Sequence, residues 1–213
     1  MVTRMRQVVG IFAILPFVSA CSGSGINQEL QTELLEMARA DQSLRDRGMA
    51  LMQGLPESQA DFMLFIDEQN ELNDTNFARL EDMIATHGWP GHSLVGAEGA
   101  DAALIVFSHA SLDQQKALLP MLREAVSAGQ VTASQLARRE DSILVNSGNS
   151  QIYGTHFVSD ADGHPVLAPV QDPANLEERR RSVGLPSMEE QFRQLEQELG
   201  MPIGRGNLAT EGD

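Results

Sequence analysis

Gly88-Trp89-Pro90-Gly91-His92-Ser93-Leu94-Val95-Gly96 decides the architecture, because neither a helix nor a strand can run through it. Gly88 sits where a helix-ending glycine belongs, and Trp89-Pro90 follows as the stop. Ser93 is expected to cap a new helix. The stretch, which holds the only tryptophan, is therefore read as the junction of two helices. Beyond it Gly96, Ala97, Gly99, Ala100, Ala102 and Ala103 leave half a helix without bulky side chains. Glycine costs helix stability, so several together imply that another backbone approaches closely. This helix, ending near His109 after Leu104, Ile105, Val106 and Phe107, is expected to be the buried centre.

Upstream, a helix is predicted from Gln28 to Arg47, with Leu30, Leu34, Met37 and Leu44 on one face. Asp41 falls on that same stripe, four residues before Arg45. A carboxylate there is costly unless paired, and the spacing supplies a partner. It reads either as an ion pair pinning the helix to a neighbour or as a ligand or catalytic carboxylate. Gly48 to Pro56 reads as a break, although Met49, Leu51 and Met52 leave an extension open. Ser58 caps the next helix, which carries Phe62, Phe65 and Ile66 and is expected to falter at Asn70–Asp74. Asp74 then opens a third, with Phe77, Leu80 and Ile84 inward.

Downstream of His109, Asp113 is expected to start a helix with Leu118, Leu119, Leu122 and Val126 inward, a bend at Pro120 and a stop at Gly129. Thr132-Ala-Ser-Gln135 is a capping-box signature. On the helix it opens, Leu136, Glu140, Ile143 and Leu144 share a stripe, which aims the Glu140 carboxylate at the core with Asp141 a quarter-turn away. Gln151 to Val158 alternates in strand fashion, Asp160-Ala-Asp-Gly163 is turn chemistry, and His164 to Val170 returns as a partner strand. Asp172-Pro173 opens a helix bearing Arg179, Arg180 and Arg181, and Ser187 caps a last one ending at Gly200. Residues 201–213 read as a disordered tail. The expectation is a mainly α protein: a single helical domain over residues 28–200, with six to eight helices and one C-terminal β-hairpin.

The first residues read differently. Arg4 and Arg6 precede an apolar run from Val8 to Val18, then Ser19-Ala20-Cys21, the layout of a secretory signal. The run is too short to span a bilayer. Small residues before the only cysteine match a bacterial lipobox, so residues 1–20 are expected to be removed and Cys21 acylated. Residues 21–27 would then be a lipid-anchored tether. Ser22, in place of aspartate, favours the outer membrane over the inner. Loss of Arg4 and Arg6 moves the formal charge from -15 to -17. Nucleic acid and anionic lipid need clustered cations, so neither is expected as a partner, and membrane contact falls to the lipid alone.

Asp41-Gln-x-x-Arg45, Gly88-Trp89-Pro90 with Ser93-Leu94-Val95-Gly96, His109-Ala110, Leu136-Ala137 with Glu140-Asp141, Gln151-x-Tyr153-Gly154-Thr155, and Glu178-Arg179-Arg180 with Gly184-Leu185 occur in order. That string resembles a widespread bacterial family catalogued only as a domain of unknown function, over about residues 30–195. The resemblance implies no activity. Three positions depart from the family pattern: Ser108 and His156 stand where glutamine is usual, and Ser142 where arginine is.

Polar residues recurring on apolar faces imply a pocket if they converge. In the first reading the protein binds an unidentified small molecule or envelope protein, with Arg45, Asp141, Tyr153, Thr155, His156, Arg179 and Arg180 as ligand contacts. The arginine run reads equally as a solvated face. In the second it is an envelope hydrolase or transferase, with His109 as general base and Glu140 or Asp41 orienting it or acting as acid. His109 reads alternatively as a hydrogen-bonded core residue or a charge partner for its helix terminus. There is no Gly-x-Ser-x-Gly elbow, His-Glu-x-x-His or Walker loop, and no cofactor is expected. A metal held by His87, His92, His109 or His156 with acids is a variant of the second reading, and the primary expectation is no metal.

Overall fold

The computed structural model describes residues 25–54 and 59–208. The signal segment, Cys21 and most of the tether lie outside the described residues, as does the end of the chain from residue 209. The described residues form seven α-helices: α1 (Gln28–Gly54), α2 (Gln59–His87), α3 (His92–His109), α4 (Leu112–Ser127), α5 (Ala133–Asn146), α6 (Leu176–Ser182) and α7 (Met188–Leu199). One antiparallel hairpin joins β1 (Phe157–Ser159) to β2 (Pro165–Leu167), with Val158 opposite Val166. The mainly helical expectation and the C-terminal hairpin both hold.

The Gly88–Gly96 junction buries Trp89 to Gly91 and exposes Gly88, His92 and Ser93. Gly88 takes φ +75°, Trp89 and Pro90 are buried, and the indole edge meets the Phe107 ring with centroids 5.9 Å apart. Ser93 does not cap α3. Gly91 occupies the cap position without a side-chain bond, while Ser93 donates through N and Oγ to Gln130 Oε1 at 3.0 and 2.6 Å. Gly96 then breaks the helical path at φ +71°, so its place demands glycine. The neighbour implied by the small residues is the start of α1 and the residues before it. A Cβ on Gly96 would lie 3.0 Å from the Gln31 amide nitrogen and 3.1 Å from Ile26.

Helix boundaries depart from the sequence reading in several places. α1 runs on past Arg47, and Gly48, expected to begin a break, lies inside it with the Phe65 ring packed where a Cβ would stand. α2 crosses Asn70–Asp74 unbroken. Asn70 and Asp74 face solvent, and extending an existing helix through poor formers costs less than nucleating a second one. Downstream, α4 is capped by Ser111 and Gln114 in a reciprocal box rather than by Asp113, and it continues through Pro120. Thr132 and Gln135 form the expected box on α5.

Two apolar clusters result. The larger joins Leu34 and Met37 of α1, Phe77 and Leu80 of α2, Ala103 and Phe107 of α3, and Leu122 of α4. The smaller gathers Leu167, Val170, Leu176, Met188, Phe192 and Ile203. Full burial of a side chain such as Phe107 or Leu34 contributes about 1.5–3 kcal/mol. The tail expected from residue 201 is ordered as far as 208: Ile203 is buried, Gly204 bridges to Val166, and Asn207 exchanges bonds of 2.9 and 2.8 Å with the Val170 backbone. Its apolar anchors, Ile203 and partly buried Leu208, carry no periodicity from which packing could be read.

Candidate functional site

The sequence-predicted site residues separate into two groups on opposite sides of α5. The first is built on α1 and α3. Asp41, 4% exposed, accepts from Arg45 Nε at 3.0 Å and Nη2 at 3.4 Å. His109 closes the other side, its Nδ1 2.9 Å from Asp41 Oδ1. The N–H direction misses a hydrogen-bond angle, so this is a charge contact rather than an aligned bond. Burial pushes the imidazole below its ordinary range; Asp41 opposes that shift, and Arg45 and then Arg139 of α5 reinforce it. Burial thus favours the neutral ring, beside a carboxylate that it approaches without an aligned bond.

Arg45 also forms part of the wall of an open cavity of about 460 Å³ between the outer halves of α1 and α2. Met49, Phe62, Phe65 and Ile66 supply its apolar surface. Such a volume and lining suit a small organic ligand. Among the residues lining it, Arg45 is the one shared with the Asp41 cluster.

The second group is centred on Asp141, which is fully buried. Its carboxylate accepts from the backbone N–H groups of Ile152 (2.7 Å), Tyr153 (3.0 and 3.1 Å) and Thr155 (3.0 Å), and from Thr155 Oγ1 (2.9 Å). These bonds take the N–H groups of residues 152, 153 and 155, which is why the segment expected as strand keeps only an isolated bridge from Gln151 to Val170 and β1 begins at Phe157. Gly154 turns the loop at φ +67°, where a Cβ would meet Met188 Sδ at 2.9 Å. Gln151 bonds the His156 backbone from both ends of its amide and donates to the Ala168 carbonyl.

Arg180, also fully buried, donates to the carbonyls of Pro186, Tyr153 and Gly154 and to Gln191 Oε1. Desolvation brings its pKa down to about 10, still far above neutrality. Arg179 donates to the carbonyls of Ile152, Gln171 and Asp172. Both guanidiniums, expected as ligand contacts, are occupied by the chain's own oxygens. They brace the loop that Asp141 holds.

Glu140 does not meet His109. It sits in the α4–α5 seam, 2.9 and 2.7 Å from Arg123. The quarter-turn matters here, because it is Asp141 and not Glu140 that α5 directs inward. Half-buried Tyr153 has its pKa raised, first by burial and then by Glu140 and Asp141. His156, half-buried, has its pKa lowered by burial. As for metal, the three-ligand grouping among the described residues is Asp160, Asp162 and His164 on the exposed hairpin turn, which includes none of His87, His92, His109 or His156. Asp160 there accepts the backbone N–H groups of Asp162 and His164, so turn formation accounts for its position.

Four polar residues escaped the sequence reading as site residues: Arg123, Arg139, Gln151 and Gln191. Gln191 was legible as an amide on the apolar stripe of α7, beside Met188 and Phe192. Arg139, inside an Arg-Arg-Glu-Asp run, looks solvated and is not. No described helix is long and apolar enough to cross a membrane.

A helical body whose hairpin loop is clasped to α5, with a separate polar cluster on α1 and α3, defines the class. The chain belongs to the Family of unknown function (DUF6624), whose model matches residues 28–204. That match runs through Ile203 and Gly204, the residues that close the smaller core. No curated protein and no solved structure matches the chain.

Proposed function

We propose that the chain is a lipid-anchored protein of the bacterial cell envelope, held at Cys21 on the periplasmic face of the outer membrane, that binds a small ligand or an envelope partner beside Asp41, Arg45 and His109. The observation that carries this reading is the buried Asp41 carboxylate between Arg45 and His109, next to an apolar cavity that Arg45 helps to line. A carboxylate so placed holds the guanidinium at a fixed angle, and a preorganised polar group on an apolar cavity is the usual construction of a ligand site. Arg45 uses Nε and Nη2 on Asp41, and Nη1 takes part in neither bond.

The experiment is a thermal-shift screen of envelope metabolites against the wild-type chain, Arg45→Ala and Phe65→Ala. A compound that stabilises the wild type in proportion to its concentration, and neither variant, supports the reading. Compounds that shift all three proteins equally, or none at all, reject it. Anchoring is tested separately: Cys21→Ser should release the protein from membranes and abolish palmitate labelling.

The Asp41–His109 contact supports a second reading, an envelope hydrolase or transferase with His109 as base and Asp41 orienting it. Turnover of an ester, phosphate or peptidoglycan fragment that is lost in His109→Gln would favour it over simple binding.

A further inference from the structure

Arg139 is a cation whose partner is missing. It projects from α5, its Nε is buried, and that nitrogen makes no hydrogen bond. The neighbouring charge that acts on it is Arg138, which repels it, and its own field falls on the His109 imidazole. Arg139 as a whole is half-buried, but a guanidinium nitrogen shut off from water is normally kept only where a carboxylate or carbonyl answers it. Arg180 meets that requirement in this same molecule, with three carbonyls and an amide oxygen. Arg139 does not.

The charges around it fix what is needed. Asp41 is already held by Arg45, and the two formal charges cancel. His109 is uncharged in its neutral form. What remains is the positive charge of Arg139, with exposed Arg138 adding to it from the solvent side, in a protein whose formal net charge is -15. A general attraction of anions to the surface is thus absent, and any anion bound here must be bound by local geometry.

We propose that Arg139, with His109 beside it, is the seat of an oxyanion: the carboxylate or phosphate group of a small ligand. This rests on the binding reading above and names the chemistry of its ligand. The planar fork of Arg139 suits two oxygens of one group, and Arg45, held by the same Asp41 carboxylate that His109 approaches, supplies a second cation nearby. The apolar cavity beyond Arg45 would then accept the rest of an organic anion. Arg179 and Arg180, the more obvious arginine run, are excluded from this role because their donors are already engaged.

The experiment uses the chain from residue 22 onward, which contains every described helix and both apolar cores. At low ionic strength, inorganic phosphate and acetate are titrated separately, following the melting temperature and the imidazole resonances of His109. A saturable rise in melting temperature with a shift of the His109 resonances is expected with at least one anion. Phosphate alone assigns a phosphoryl ligand; acetate alone assigns a carboxylate. Arg139→Gln should weaken the response about tenfold or more, and Arg138→Gln, its exposed neighbour, should leave it intact. The proposal is overturned if Arg139→Gln binds as the wild type does, or if neither anion shifts His109. It is equally overturned if Arg139→Gln melts well below the wild type with no anion present, which would make the guanidinium structural. If both anions fail while an organic ligand still depends on Arg45 and Phe65, the oxyanion falls and the binding reading stands. Failure of all three removes both.

Discussion

The two faces of α5 treat charge in opposite ways. On one face Asp141 and Arg180 are fully buried and every donor around them finds an acceptor: three backbone N–H groups and a hydroxyl converge on the carboxylate, and carbonyls receive the guanidinium. On the other, His109 misses the bonding angle to Asp41, and Arg139 leaves a buried nitrogen unbonded. A network satisfied from within holds a fold and has nothing left for a ligand. An incomplete one is a cost to the fold, and function is the ordinary reason that such a cost persists. Titratable residues therefore do not mark the site by number or by burial. What separates the regions is whether their hydrogen bonds are complete.

The comparison breaks first at Asp141. Asp141→Ala would leave the donors of Ile152, Tyr153 and Thr155 without an acceptor in the interior and free the loop that Arg180 braces. Removing one partner of a buried charged network costs about 3–5 kcal/mol. Urea unfolding of the purified chain should report a loss of that size. A loss below about 1 kcal/mol, the range of an ordinary surface change, would mean that this face is no more structural than the other.

How much of this was legible beforehand follows from the same division. Apolar periodicity locates the inward faces of α1, α2, α4 and α5, small residues mark α3 as buried, and the Gly88–Pro90 stop is legible because a backbone constraint is local. Asp41 and Arg45 were legible as a pair because the i,i+4 spacing fixes their geometry. The contact of Asp41 with His109 joins residues on different helices, and no local pattern encodes it. Asp141 was ranked below Glu140 because an apolar stripe was counted, while the demand that attracts Asp141 comes from N–H groups of a loop eleven to fourteen residues on. Arg139 was invisible for a related reason: burial of a charge within a charged run depends on which helices close over it.

Acid should sharpen the contrast. Burial lowers the pKa of His109 on one face and of His156 on the other. For a histidine whose folded pKa is depressed, the unfolded chain binds the proton first. Stability is therefore fully present above about 6.5, the ordinary histidine value, and is lost as pH falls below it toward the folded pKa. The faces separate when neighbours are changed. Arg139→Gln removes a repelling cation, so the pKa of His109 should rise, whereas Asp41→Asn removes its attracting carboxylate and should lower it. His156 should follow neither. Imidazole titrations by NMR read all three, and a His109 midpoint indifferent to both substitutions would dissolve the cluster into unrelated residues.

The smallest expected effect is the most discriminating, because one substitution can be made on both faces. Arg180→Met and Arg139→Met each replace a guanidinium by an apolar chain of similar reach. In the first, several carbonyls and Gln191 lose their donors in the interior, and a cost of about 3 kcal/mol or more is expected. In the second, no intramolecular bond to Nε is lost and an unanswered charge is removed, so stability should change by about 0.5 kcal/mol or less, or increase. Measured by urea unfolding in buffer free of phosphate and carboxylate, equal losses for the two would show that Arg139 has a structural partner after all. Near-zero change at Arg139 alone would mark its charge as unnecessary to the fold, which leaves a ligand as the reason for carrying it.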